Sequence, residues 1–265
     1  ELLCEADALL RELYFRSAGK LRITLFSDHG NSLVPSQPLP LPRFLKEHGW
    51  QLTGSLRGRR DVAVPAYGLV GFVAVYCQPQ SVTELAGTLA EMEGVDFAVY
   101  AEADNVTIRN GRGWAWLSWP PGEYATPPKQ FRYQTLTADP LELAPVLAAL
   151  ARAGKLEANG YFADADLFAA TAQHHYPDPA YRLWQWATNH VRNRADILLS
   201  LKPGYYYGWS AFAHVVTLLS THGSFDRAQS VGFAMSTDEP LPAVLRSRDL
   251  LPTTLAEDKQ AATRK

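Results

Sequence analysis

Residues 21–30 read LRITLFSDHG, a short apolar run followed at once by polar residues. The run at 21–26 predicts a buried strand, because strands covered on both faces are almost continuously apolar. Residues 1–17 place apolar side chains at helical spacing, and Gly19 follows as a C-terminal cap. A helix, a buried strand and a polar tip predict an α/β fold with a mostly parallel sheet. Such sheets bind ligands beyond the carboxyl ends of their strands.

Two polar tips carry metal-binding residue types. The first is Ser27-Asp28-His29-Gly30, and the second is Thr221-His222-Gly223-Ser224. Aspartate and histidine are good ligands for zinc or manganese, and glycine lets the backbone turn sharply beneath an ion. Since the second tip also lies between two apolar segments, we expect both tips to meet at one edge of the sheet. The candidate metal ligands are therefore Asp28, His29 and His222.

The other histidines have ordinary explanations. His174 and His175 are adjacent, and neighbouring side chains on a helix point about 100° apart, so they cannot easily share one ion. His48 lies near a predicted helix C-terminus, where a partial positive charge is favourable. We expect these three side chains to be structural.

The chain divides by composition into four stretches. Residues 1–48 form a core α/β segment with the first tip, and 49–133 form a strand-rich insertion or cap. Residues 134–252 form a second core α/β segment with the second tip, and the polar stretch 253–265 is expected to be disordered.

Composition excludes several classes of protein. The net charge of −2 gives no reason to expect a nucleic-acid partner. Two cysteines rule out a disulfide framework and a cysteine-based zinc site. No run of about 18 apolar residues exists, so no membrane span is predicted. No signal peptide is visible, and the compartment stays open with the cytoplasm slightly favoured.

The two tips resemble the metal motifs of the alkaline phosphatase superfamily, closest to type I phosphodiesterases and nucleotide pyrophosphatases. Ser27-Asp28-His29-Gly30 is similar to the family's SDHG motif, and Thr221-His222-Gly223 to its late GTHG histidine. The resemblance implies an α/β/α sandwich and two divalent ions, usually zinc with manganese as the alternative, that clamp a small-molecule phosphoester. It also implies that Asp28 and His29 hold one ion and His222 the other.

The rest of that family's site has no counterpart here. The family places an early aspartate, a serine or threonine nucleophile and an Asp-x-x-x-His pair before the SDHG strand, whereas 26 residues precede Ser27 here. We therefore expect a sheet that is incomplete on its N-terminal side, completed by a missing segment or a second chain. The catalytic nucleophile is unassigned, the substrate-binding residues are unknown, and the chain alone should be inactive.

Two other functions stay open at this point. The chain could be a non-catalytic binding or scaffolding protein that kept the fold. It could also be a metal-dependent phosphomutase, since the order Asp28-His29-Gly30-Asn31 occurs in metal-dependent phosphoglycerate mutases.

Overall fold

The computed structural model describes residues 2–66, 68–102, 105–122, 126–188, 192–208, 218–237 and 240–250. Over these ranges the protein is mixed α/β and forms two compact units. One unit takes in Glu1–His29 and Gly232–Lys265, and the other Gly30–Val231. The tail predicted at 253–265 lies outside the described residues.

The helices are α1 (Leu2–Arg16), α2 (Leu41–Glu47), α3 (Val82–Ala90), α4 (Ala144–Arg152), α5 (Asp164–Thr171), α6 (Pro179–Ala187) and α7 (Arg227–Ser230). The strands are β1 (Thr24–Phe26), β2 (Gln37–Pro38), β3 (Gln51–Leu52), β4 (Asp61–Ala63), β5 (Phe72–Cys77), β6 (Val95–Glu102), β7 (Asn105–Asn110), β8 (Gly113–Ser118), β9 (Gln130–Thr135), β10 (Phe162–Ala163), β11 (Ile197–Leu201), β12 (Tyr205–Tyr206) and β13 (Ala234–Ser236). Short 3₁₀ turns lie at Pro79–Ser81 and Ser247–Leu250.

The second unit, Gly30–Val231, is built on a sheet that has nine strands among the described residues. Its strand order is β10-β9-β8-β7-β6-β11-β5-β4-β3. Alternate residues of β11 enter different apolar clusters: Ile197 and Leu199 pack with α2 and α3, and Leu198 packs in the cluster that includes residues of α5 and α6. Helices therefore cover both faces of the central strands.

The sheet is mostly antiparallel, which corrects the expectation of a mostly parallel one. Each described pairing in it is antiparallel except that of β3 with β4. The strands β6 to β9 are joined in sequence as neighbours, and the β7–β8 turn is closed by Asn110 Oδ1, which accepts from the amides of Arg112 and Gly113. An apolar run predicts burial but carries no information on strand direction. The parallel α/β/α sandwich of the resembled family is not confirmed.

In the first unit, Glu1–His29 with Gly232–Lys265, the predicted strand differs from expectation in both length and burial. Strand β1 pairs antiparallel with β13, with Leu25 opposite Met235. The predicted strand at 21–26 is shorter and is exposed, with Leu25 at 37% and Phe26 at 43% of full exposure. The prediction of a buried strand is therefore wrong here, because within the described residues β1 has a neighbour on one side only.

A membrane-crossing helix is not found in the described part of the chain, since none of its helices has the length and apolar character required.

Candidate functional site

The first tip directly follows β1 and is held by the backbone beside β13. Ser27 N donates to Phe233 O at 3.0 Å, and Phe233 N donates to Ser27 Oγ at 3.0 Å. A side chain at Gly232 would collide with Ser27, since a Cβ there would lie 2.2 Å from Ser27 Oγ. These contacts fix the backbone at which the chain turns away from the strand into Asp28.

The side chains of Asp28 and His29 lie next to each other at this tip. His29 Nε2 is 3.4 Å from Asp28 Oδ2, and His29 N donates to Asp28 Oδ1 at 3.0 Å. The Asp28 side chain is 84% exposed and that of His29 is 36% exposed. One carboxylate oxygen and one imidazole nitrogen are thus close together and open to solvent, which is the arrangement of two ligands of a small divalent cation.

The second tip belongs to the other unit and is fixed by its backbone. Ser32 N donates to Thr221 O at 2.9 Å, and Thr221 N donates back to Ser32 O at 3.2 Å. On the next residue, His222 O accepts from Gly71 N at 2.7 Å. Gly223 has φ of +103°, a left-handed backbone that favours glycine. The half-buried His222 therefore sits on a rigid turn.

Asp28 and His29 lie in one unit and His222 in the other, so their predicted convergence stays a prediction. Across the described ranges, no group of three or more His, Cys, Asp or Glu side chains is placed to hold a metal ion. A catalytic zinc takes three protein ligands. The Asp28–His29 pair by itself does not fit a complete metal centre.

The structure places His174 in a structural role. Its Nδ1 accepts from Tyr176 N at 3.0 Å, and its Nε2 is 3.1 Å from Glu142 O. A neutral ring that accepts at Nδ1 carries its proton on Nε2, which then donates to the Glu142 carbonyl. Both ring nitrogens are therefore used in hydrogen bonds that hold the loop before α6.

A polar cluster around Asp96 and Tyr176 is not predicted by the sequence analysis. The Tyr176 hydroxyl lies 3.0 and 2.9 Å from the two Asp96 carboxylate oxygens. Nearby, His175 Nδ1 is 3.5 Å from Oδ2 of the buried Asp226. Burial raises the pKa of Asp96, and the Tyr176 hydrogen bond opposes that rise. The available signal is Asp96 itself, a carboxylate near the start of a strand whose next four residues are apolar.

A buried cation locks the turn that follows His222. The Arg182 guanidinium donates to the carbonyls of Pro177, Phe225 and Ser224 at 3.2 to 3.3 Å and lies 4.0 Å from the centre of the Phe225 ring. Burial lowers the pKa of Arg182 to about 10. Since α6 carries Arg182, this helix fixes the backbone at 224–225, where the second tip ends.

Comparison with known proteins finds no match: no protein-family profile, no curated protein and no solved structure matches the chain. The resemblance to the alkaline phosphatase superfamily stays a prediction from the two motifs.

Proposed function

We propose that the chain is part of a metal-dependent phosphoester hydrolase, a phosphodiesterase or phosphatase of the alkaline phosphatase superfamily. Asp28 and His29 are proposed as ligands of one divalent ion, zinc or manganese, and His222 as a ligand of a second. Its substrate would be a small phosphoester. The observation that carries the proposal is the approach of His29 Nε2 to Asp28 Oδ2 at 3.4 Å on an exposed tip.

Several features support the assignment of these side chains. The tip follows a strand end and presents the nitrogen and oxygen ligands that zinc and manganese accept. The backbone under each tip is fixed by hydrogen bonds and by glycines, as a rigid site requires. A bound divalent ion would polarise a phosphoryl oxygen and lower the pKa of a bound water. The remaining ligands and the nucleophile are not assigned to any described residue.

The first test is zinc binding by the chelator-treated protein, measured by isothermal titration calorimetry. We expect His29→Ala to weaken zinc binding by at least about tenfold, because the tip then keeps only one ligand. His48→Ala is the matched control, since His48 is exposed and its ring is engaged with the Phe44 carbonyl at 2.8 Å. Equal losses in the two variants, or no zinc binding by the unaltered chain, would remove the metal assignment.

A non-catalytic binding or scaffolding protein is the second candidate function. It needs no complete metal centre, and the first tip brings together two candidate ligands where a catalytic zinc takes three. The same titration separates the two candidates, because a folded chain that binds no zinc at the first tip supports the binding protein.

A further inference from the structure

One edge of strand β1 is open in the described part of the chain. Thr237 N donates to Ile23 O at 3.0 Å across the β1–β13 pair. In an antiparallel ladder such bonds recur at every second residue, so positions 23, 25 and 27 face β13. The N–H and C=O groups of Thr24 and Phe26 therefore face the opposite edge, along which no described strand lies.

The two-stranded sheet that carries this edge has exposed apolar side chains. A groove of about 350 Å³ lies between α1 and the two-stranded sheet, lined in part by Tyr14, Leu25 and Met235. Leu25 is 37% exposed, Phe26 43% and Met235 56%. A two-stranded sheet is marginal by itself, and an exposed apolar edge is a template for another strand.

Charge decides the direction in which a like strand would pair. The exposed Arg22 precedes β1, and the exposed Asp28 follows it. Antiparallel pairing of two copies brings the basic end of one strand to the acidic end of the other, whereas parallel pairing would place like charges together. The charges of α1 are largely paired within the helix, through Asp7–Arg11 and Glu12–Arg16, and do not oppose association.

We propose that this edge binds a second copy of the chain, with the two β1 strands antiparallel about a two-fold axis at Leu25. Thr24 then faces Phe26 of the second copy, and their outward N–H and C=O groups satisfy each other in both directions. The same register sets Arg22 across from Asp28 of the second copy. The result is a closed, isologous dimer with a four-stranded sheet. It goes beyond the proposed hydrolase function, and it shares only Asp28 with the proposed metal site.

The oligomeric state tests the proposal by sedimentation velocity over a range of protein concentrations. We expect a monomer–dimer equilibrium that Phe26→Lys weakens by at least about tenfold, because a charge on an edge strand blocks pairing. Leu33→Lys is the control, since Leu33 is 85% exposed and lies outside the edge. A monomer at every concentration, or equal effects of the two substitutions, would overturn the proposal.

Disulfide cross-linking tests the register without disturbing the hydrogen bonds of the edge. In a Cys4→Ser background, Leu25→Cys should form an intermolecular disulfide, because non-hydrogen-bonded partners have Cα atoms about 4.5 Å apart. Leu21→Cys should not cross-link, because the two copies of residue 21 would lie about 26 Å apart. Faster cross-linking at position 21 than at position 25 would reject this dimer.

Discussion

At the scale of single residues, the most informative polar contact is the one between Asp96 and Tyr176. Asp96 lies in β6, whose other side chains up to Tyr100 are apolar, and it is satisfied by the Tyr176 hydroxyl. Burial raises the pKa of Asp96 and also that of Tyr176, the latter further through the charge of Asp96. The sequence could indicate an unusual carboxylate in β6, but its partner is 80 residues away and no local pattern names it.

The Asp96–Tyr176 contact predicts a pH dependence of stability. A carboxyl whose pKa is raised in the folded state binds its proton more tightly there than in the unfolded chain. Its contribution therefore favours folding below the ordinary carboxyl pKa of 3.8 and declines as pH rises through the raised value. Asp96→Asn should remove this decline, measured as the free energy of unfolding in urea from pH 3.5 to 7. Parallel pH profiles for the two proteins would contradict it.

Removing the hydroxyl tests the same contact from the other side. Tyr176→Phe should destabilise the protein at pH 7 by about 1–3 kcal/mol, because the partly buried Asp96 carboxylate loses its donor. The loss should shrink at acidic pH, where Asp96 is protonated, and in an Asp96→Asn background. Tryptophan fluorescence can follow the unfolding. If the loss of stability is the same with Asp96 and in the Asp96→Asn background, it arises from packing of the Tyr176 ring and not from the hydrogen bond.

At the scale of elements, two apolar runs of similar character are buried to different extents. The runs at 21–26 and 197–201 are both largely apolar, but only the second, β11, is mostly buried and is paired on both sides, by β5 and β6. Strand β1 is exposed because, among the described strands, it pairs only with β13. Apolar composition indicates that a strand can be buried, whereas long-range pairing decides whether it is. The same limit explains why the sequence mispredicts strand direction but correctly predicts the helix at 1–17.

Because β11 lies in the middle of the sheet, we expect shortening its side chains to lower the free energy of unfolding by different amounts on its two faces. Leu199 is fully buried in the cluster with α2 and α3, so Leu199→Ala should cost about 2–5 kcal/mol. Leu198 is on the same strand and half-buried on the other face, so Leu198→Ala should cost clearly less. Urea unfolding followed by tryptophan fluorescence measures both, and equal costs would contradict the assignment of the two faces.

At the scale of the whole molecule, the chain combines a well-packed unit with a sparsely packed one. The sheet of Gly30–Val231 has two buried clusters. In the unit of Glu1–His29 and Gly232–Lys265, the described strands are two short ones whose side chains are exposed or half-buried. The candidate ligands Asp28 and His29 lie in this sparsely packed unit. Their position at a strand tip could be predicted from the sequence, but the position of His222 relative to them depends on packing that no local pattern encodes.

This contrast predicts a wide spread of hydrogen-exchange protection. Amides of β5, β6 and β11 should exchange most slowly, because they are buried in the middle of the nine-stranded sheet and open only with the whole unit. Amides of β1 and β13 should exchange far faster at low protein concentration, since a two-stranded sheet opens readily. At high concentration the amides of Thr24 and Phe26 should gain protection if the second copy covers their edge, while those of β11 stay unchanged. Mass spectrometry of peptides from both units checks this. Equal protection of β1 and β11 at low concentration would show that the first unit is stabilised by contacts other than the described strand pairing.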